Sequence, residues 1–413
     1  MLRLQGLRRV LRRDVLTLCA VIFTADILSG ILSPTFSLYA KQLGASLTLV
    51  GALSSTIGLT TLCASLPIGM LSDRIGRKIV LTTGMLLFSL AAMSFALAPN
   101  AYLLFPGRAL TGVAMICTFY LGVAYVGDIV PPEDRGLALG LYSTSMGLGF
   151  AIGPLVGAAI AGRHGIAGSY LFASAVAFGG ALIAALGLRR ITLSRVAAAA
   201  QMRKMAWADT GQMLRNRRLL AGSLGNLLIN VSFGGAVANF FPVYVAQLGA
   251  VQVAINSMFS IRAFGSTMTR LPTGALTSRV PSRWVMYVAL IVSMTAQFFM
   301  AQSNATALLT VLLLLEGISY GAFLTSGQVF VAENCTPITR GAAVGVYSTA
   351  GSVGSMVSAI VLGMAADLWG VQMVFRLTSI VLLLGLVVVG YLYMEKKPAQ
   401  RAADCTVRRE VTR

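Results

Sequence analysis

Four charged side chains lie inside long apolar stretches of this sequence, where an ionised group is expensive. They are Asp26, Arg108, Arg262 and Glu316. If these stretches cross a membrane, each charge costs about 2.5–3.5 kcal/mol at a helix centre, so the four cost on the order of 10 kcal/mol. A helix with a purely structural role would lose such residues. We therefore expect them to face a water-filled cavity or to pair with one another.

Two pairs are predicted from these four side chains. We expect Asp26 to pair with Arg108 when it is deprotonated and to release it when it is protonated. Glu316 is a second protonatable or cation-binding group, which Arg262 would partner. In both cases a static pair that only positions helices is the alternative. His164 is the single histidine of the chain and falls in a predicted loop, so a proton relay would have to use carboxylates.

The composition places these charges in a membrane. The chain has 413 residues, of which 57% are hydrophobic and 11% are charged, and its mean hydropathy is +0.81. A soluble domain of this size could not bury so much apolar surface. A net charge of +19 is compatible with a nucleic-acid partner, but most Lys and Arg fall in the termini and in every second loop. This asymmetry predicts a multi-pass protein of the cell (inner) membrane with both termini in the cytoplasm, and no nucleic acid.

Twelve apolar segments predict twelve transmembrane helices. They cover residues 15–38, 47–68, 79–98, 102–125, 136–161, 168–188, 219–245, 251–276, 284–301, 305–331, 341–365 and 372–393. We predict a six-helix bundle over 1–188, a basic cytoplasmic linker over 189–217, a second bundle over 218–394 and a polar, disordered tail over 395–413. The linker either carries an interfacial helix near residues 202–219 or only satisfies the topology.

The two halves repeat each other. Residues 39–45, 66–74 and 135–144 recur as 244–250, 271–279 and 340–349, always with an offset of 205 residues. A constant offset means that no helix was gained or lost, so both six-helix halves begin on the same side of the membrane. The sequence therefore predicts an all-α membrane protein of two parallel-repeat bundles, which is the architecture of an alternating-access transporter.

Three motifs support this prediction. The charged turn between the second and third helices contains Gly69, Asp73, Arg74, Gly76, Arg77 and Lys78. Helix 4 has Arg108 followed by Gly112, and helix 5 has Gly140, Gly149, Gly153, Pro154 and Gly157. On these motifs the chain resembles the major facilitator superfamily, from helix 1 to helix 12. The helix 5 motif resembles that of its drug:proton antiporter branch, although Ala158 replaces the last glycine of the pattern.

The resemblance implies roles for these residues. Asp73, Arg77 and Asp128 would form a charge cluster that latches the cytoplasmic side when the transporter faces outward; the alternative is that the basic residues only fix the topology. Gly76 would take a positive φ in a tight turn. The helix 5 glycines would form a groove for another helix, and Pro154 would bend helix 5. Helices 1, 4, 7 and 10 would line the cavity.

Six further side chains are candidates for the substrate cavity. Two amides on one face of helix 7 and several aromatic or sulfur-containing side chains could line it: Phe23, Met115, Phe119, Asn226, Asn230 and Tyr320. The five cysteines show neither paired nor metal-ligand spacing, so we expect no cofactor and no metal.

These observations favour a secondary active transporter that exports drug-like or sugar-like small molecules in exchange for protons. An uptake symporter or a uniporter of a small metabolite remains the alternative. A membrane enzyme is remote, because the Gly-x-Ser-x-Gly pattern at 317–321 lies inside an apolar helix with no histidine in reach. The expected partners are a small-molecule substrate, protons and the lipid bilayer, and we expect a monomer.

Overall fold

The computed structural model describes residues 12–131, 134–189, 216–335 and 340–394, which are helical almost throughout and contain no strand. The predicted interfacial helix near 202–219 lies largely outside these residues, and the tail at 395–413 lies entirely outside them. The helices, numbered in chain order, are α1 Arg13–Gln42, α2 Leu47–Ile75, α3 Arg77–Ala96, α4 Ala101–Ile129, α5 and α6 within Arg135–Gly187, α7 Arg217–Gln247, α8 Gln252–Thr277, α9 Ser282–Met300, α10 Thr306–Glu333, α11 Arg340–Trp369 and α12 Val371–Met394.

The prediction of an all-α fold with twelve helices is confirmed for the described part of the chain. Ten helices are long and apolar enough to cross a membrane. One of these has 53 residues and would be about 80 Å long at 1.5 Å per residue. It turns at Gly165 (φ 71°, ψ 176°) into two arms, α5 and α6. The remaining helix, α8, is not among the ten helices that are apolar enough to cross a membrane. It contains Arg262 and Arg270.

The two halves pack their helices in the same way. In the first half α1 packs against α5, α2 against α4, and α3 against α6. In the second half α7 packs against α11, α8 against α10, and α9 against α12. The pairing therefore repeats with a shift of six helices, as expected for a parallel repeat. The four intramembrane charges are thus divided between two similar bundles, two in each.

The bundles meet at one side of the membrane and separate towards the other. We call the side at which α1 begins the terminal side, and the opposite side the far side. Near the far side α2 and α11 nearly touch, since a Cβ on Gly51 would lie 2.1 Å from the carbonyl oxygen of Ala359. In the terminal halves of α2 and α8, by contrast, many side chains are exposed, including Leu66 (62%) and Leu271 (81%), although α8 still contacts α5 there through Arg270 and Ser143. The structure is closed at the far side and open at the terminal side.

Glycines of α5 allow α1 to lie directly against it. A Cβ on Gly153 would lie 2.5 Å from the carbonyl oxygen of Ile27 and 2.7 Å from the Cα of Gly30. Gly149 and Gly157 face α1 in the same way, whereas a Cβ on Gly140 would meet nothing within 4 Å. The predicted groove of α5 therefore holds α1, a helix of its own bundle, and it fixes the depth of Asp26 in the membrane.

A pair of matched substitutions tests this packing. Gly153→Ala should destabilise the protein by about 1–3 kcal/mol, because the added methyl group meets backbone atoms that cannot move independently. Gly140→Ala makes the same chemical change in the same helix at an open position. It should be neutral or stabilising by about 0.5–1 kcal/mol, as expected from helix propensity. Thermal unfolding of the purified protein in detergent measures both; equal melting temperatures for the two variants would contradict the packing argument.

Candidate functional site

A cavity of about 300 Å³ lies between the two bundles. Five helices of the first bundle and two of the second line it, and most of its wall is apolar, with hydroxyl groups between. Its lining includes Phe36, Arg108, Met115, Phe233 and Asn239. Both α4 and α7 contain a short π-helical segment here, at Ile116–Tyr120 and Val231–Val237. Such segments often occur at functional sites, and this volume is sufficient for a small organic molecule.

Hydrogen bonds between the bundles close the far side of the cavity. The carboxylate of Asp367, near the end of α11, accepts hydrogen bonds from the backbone amides of Leu47 (2.9 Å) and Thr48 (2.7 Å). It therefore caps the N-terminus of α2 across the boundary between the bundles. Sequence reasoning missed Asp367. The sequence did contain a signal for it. An acidic residue near a helix C-terminus is unfavourable there, which suggests that it has a partner elsewhere.

Two further hydrogen bonds lie deeper on the same boundary. Ser55 of α2 donates to the carbonyl oxygen of Met356 at 2.5 Å, and Ser54 donates to the side-chain oxygen of Asn239 at 2.6 Å. The wall between the cavity and the far side is thus a set of polar contacts, which can exchange for water when the bundles move apart.

The expected contact between Asp26 and Arg108 is wrong for this structure. The guanidinium of Arg108 lies 3.2 Å from the ring centre of Phe36, which follows Asp26 by ten residues on α1. Ten helical residues correspond to about 15 Å along the axis. The two charges occupy different depths of the same bundle, and Asp26 Oδ2 is buried without a hydrogen-bond partner.

Asp26 faces an arginine of the other bundle instead. Arg270 of α8 is close enough for its charge to act on Asp26, and Tyr142 of α5 is another neighbour. Arg270 donates from Nη1 to the carbonyl oxygen of Ser143 at 3.3 Å, while its Nε has no partner. Asp26 and Arg270 do not form an ion pair within 4.0 Å in this state. Sequence reasoning missed Arg270, although it lies eight residues after Arg262 and on the same face of α8.

The structure brings Arg262 and Glu316 together. Arg262 Nε lies 2.5 Å from Glu316 Oε2, and the two side chains are 2% and 0% exposed. The guanidinium also covers the ring of Phe233 at 3.7 Å. Gly317 permits this contact, because a Cβ there would lie 2.3 Å from the carbonyl oxygen of Arg262. The pair is electrically neutral and lies behind Phe233 from the cavity; its role in proton coupling stays a prediction.

Of the six predicted cavity residues, Met115 lines the cavity and the other five do not. Asn226 donates to the carbonyl oxygen of Tyr347 at 2.7 Å, and Asn230 donates to the backbone oxygen of Asn226 at 2.8 Å. Asn226 therefore joins α7 to α11, while the bond of Asn230 stays within α7. A polar face of a helix can satisfy a neighbouring backbone as well as a ligand, and the role of these amides in substrate binding stays a prediction.

Two of the three aromatic candidates that do not line the cavity have ring partners. Phe119 packs against Phe88 with ring centres 5.9 Å apart. Tyr320 packs against Phe233 of the cavity wall (4.9 Å between ring centres). Phe23 is half-buried, and its backbone carbonyl oxygen faces Gly149 of α5. Aromatic side chains within a bundle fill space between helices, and composition alone does not distinguish them from side chains that line a cavity.

The charged turn after α2 is ordered as the motif suggests. Gly76 has φ 94°, which confirms the predicted positive φ. Arg77 forms ion pairs with Asp128 at the end of α4 and with Asp73 at 3.7 Å. Arg74 is exposed, and a Cβ on Gly69 would meet nothing within 4 Å. The cluster lies within the first bundle in this state, and its role as a latch stays a prediction, as does that of Lys78.

The chain was compared with known proteins. The family model described as Major Facilitator Superfamily matches residues 18–254 and 226–404. An uncharacterized MFS-type transporter of Methanocaldococcus jannaschii is 22% identical over 397 residues, which cover 94% of this chain and 99% of the relative. The multidrug resistance protein MdtG of Klebsiella pneumoniae is 24% identical over 388 residues, covering 91% and 92%. A crystal structure of a mutant of the nucleoside transporter NupG shares the fold, with a TM-score of 0.79 at 17% identity over 92% of this chain and 99% of that one.

The far-side cap generates a testable prediction. Asp367→Ala removes both acceptors from the N-terminus of α2, which should cost the far-side-closed state about 0.5–2 kcal/mol. The population open at the far side should rise by about 2- to 30-fold. Spin labels at Lys41→Cys and Val251→Cys, which lie on opposite bundles at the far side, would report a larger share of long distances. Asp14→Ala, which breaks a pair within the first bundle, is the control; an unchanged distance distribution in Asp367→Ala would overturn the prediction.

The buried pair generates another prediction. Glu316→Gln leaves the guanidinium of Arg262 buried without a counter-charge, so it should destabilise the protein by about 3–5 kcal/mol. The double variant Arg262→Met with Glu316→Leu removes both charges and should recover most of this loss. Unfolding in detergent measures both effects. A double variant as unstable as the single one would show that the pair is needed for packing and not only for charge balance.

Proposed function

The chain belongs to the major facilitator superfamily and is a membrane transporter rather than an enzyme, and on that premise we propose that it exports small molecules in exchange for protons. The observation that carries the proposal is the position of Asp26. This carboxyl group is 6% exposed, its Oδ2 has no hydrogen-bond partner, and the charge of an arginine of the other bundle acts on it. Among intramembrane groups, an unpaired carboxyl at a moving boundary is well suited to bind and release a proton.

Asp26 does not itself line the cavity, but it lies one turn from residues of α1 that do. It shares one face of α1 with Ser29 and Ser33, at i+3 and i+7, and both of these line the cavity. A proton or a substrate in the cavity can therefore change the charge state of Asp26. The name of the multidrug relative supports export of drug-like compounds.

The cycle follows from the sign of the two charges. In the state open at the terminal side, a deprotonated Asp26 attracts Arg270 across the boundary and favours closing of that side with substrate inside. After the far side opens, a proton neutralises Asp26 and releases Arg270, so that the protonated transporter returns without substrate. Because the deprotonated form moves outward and the protonated form moves inward, substrate and proton move in opposite directions.

The basic termini and loops support an orientation with the terminal side in the cytoplasm, which is the side from which an exporter loads its substrate. The protein would lie in the inner membrane and work as a monomer, because each chain contains both bundles and the whole cavity between them.

Proton flux in everted membrane vesicles energised by respiration tests the proposal. A panel of cationic, neutral and anionic amphipathic compounds is added, and the collapse of the pH gradient is followed by a fluorescent dye. We expect at least one compound to collapse the gradient with the wild-type protein and none to do so with Asp26→Asn. Arg270→Gln should slow the coupled flux by about 5- to 150-fold, the range of a coupling free energy of 1–3 kcal/mol.

Asp14→Asn is the matched control, since it makes the same change on the same helix at a pair outside the cavity. Its flux should equal that of the wild type. Compounds that move without dependence on the gradient, or normal coupling in Asp26→Asn, would overturn the proposal in favour of a uniporter or an uptake system. Glu316 would then be the carboxyl group to test.

A further inference from the structure

We propose that the substrate is an amphipathic organic anion, whose carboxylate, phosphate or sulfonate group is bound by Arg108 and Ser37 in the cavity. This inference names the substrate class of the cavity and rests on the proposed transport function. It starts from an imbalance of charge. Among the described residues that line the cavity, Arg108 is the single charged side chain.

Arg108 has no counter-charge within the protein as described. Its guanidinium lies on the ring of Phe36, with Phe95 at 5.9 Å, and its Nε has no hydrogen-bond partner. Arg77, Arg189 and Arg262 all form ion pairs with carboxylates, in contrast. A ring covers the face of a guanidinium but leaves its edge N–H groups free, and these donate in pairs to a carboxylate or a phosphate.

A rocking motion of the bundles does not bring Asp26 to Arg108. Asp26, an acidic residue of the same bundle, lies about 15 Å from this position along α1. Because α1 and α5 are locked by their glycines and α4 belongs to the same bundle, a rocking motion keeps this separation. Tyr170, whose hydroxyl lies 3.1 Å from that of Thr35, is a neutral phenol at physiological pH. The guanidinium is partly removed from solvent without a counter-charge, and an anionic ligand would supply that charge.

A second polar group without a partner lines the same cavity. Ser37 follows Phe36 on α1, lines the cavity and is 1% exposed, and its hydroxyl has no hydrogen-bond partner. An anionic group in this cavity could accept hydrogen bonds from both the unpartnered hydroxyl and the guanidinium. Leu32, Phe150 and Phe233 form apolar wall around it, so the remainder of the ligand should be apolar. The volume of about 300 Å³ suits a compound of one or two rings.

Binding to the purified protein in phosphatidylcholine nanodiscs, without any gradient, tests this inference. The probes share one body and differ in charge: 1-naphthaleneacetate, its neutral amide, and 1-naphthalenemethylammonium. By equilibrium dialysis we expect the carboxylate to bind at least about tenfold more tightly than the amide, and the cation to bind least. Arg108→Gln should abolish the advantage of the carboxylate over the amide and leave the amide itself unchanged. Arg108→Lys should retain part of this advantage, since it keeps the charge but loses the paired geometry.

Arg163→Gln is the control for removing an arginine, because Arg163 is exposed outside the cavity. Any of four results would overturn the inference. Three concern the wild-type protein: equal binding of the carboxylate and the amide, preference for the cation, or no carboxylate binding at millimolar concentration. The fourth is an equal loss of binding of all three probes in Arg108→Gln. The test is separable from the proton-flux experiment. Anion preference without coupled flux would refute antiport alone, whereas coupled flux with cations but without anion preference would refute this inference alone.

Discussion

An ionised side chain inside hydrocarbon must be paired with an opposite charge, hydrated, or converted to its neutral form. The described structure depends on how its buried charges meet this constraint. They do so in three ways. Glu316 and Arg262 neutralise each other in a fully buried contact, which makes them a poor site for a ligand but a stable link between α8 and α10. Asp26 has the charge of Arg270 of the other bundle acting on it, and in the proposed cycle a proton would remove its own charge. Arg108 lies on an aromatic ring in the cavity, where a ligand can supply the opposite charge.

These solutions work only because the backbones lie close together where side chains are small. Gly153 against α1, Gly317 against Arg262 and Gly51 against Ala359 each leave no space for a Cβ. The first two contacts lie within a bundle and make it rigid. The third lies between bundles, beside the polar contacts that close the far side. Movement of one bundle against the other requires that contacts within a bundle persist and that contacts between bundles can break. In the described residues glycine packing occurs at both kinds of contact. The hydrogen-bonded cap of Asp367 lies between the bundles.

The sequence predicted the helices, their repeat and the contact between Arg262 and Glu316, because apolar length, a constant offset and charge balance are all visible in one dimension. The predictions failed where they depended on the depth of a side chain within its bundle or on the identity of its contact partner. Asp26 and Arg108 both fall inside apolar segments, but the register between α1 and α4 places Arg108 at Phe36, and no pattern in the sequence contains that register. Asn226 and Asn230 look like ligand groups until the carbonyl oxygen of Tyr347 is placed beside them. Arg270 was overlooked because it lies near the end of its helix.

The two proposals together determine how the membrane potential would act on transport. Exchange of one proton inward for one monovalent anion outward moves two positive charges inward in each cycle. A charge that crosses the full potential contributes about 2.3 kcal/mol per 100 mV, so the two contribute about 4.6 kcal/mol at 100 mV, negative inside. Export of a cation in exchange for one proton would gain nothing from the potential and would depend on the pH gradient alone. An arginine as the charged lining residue is therefore consistent with an exporter that uses both components of the proton-motive force. The membrane potential, negative inside, drives the proton inward and an anionic substrate outward, which are the directions in which they move.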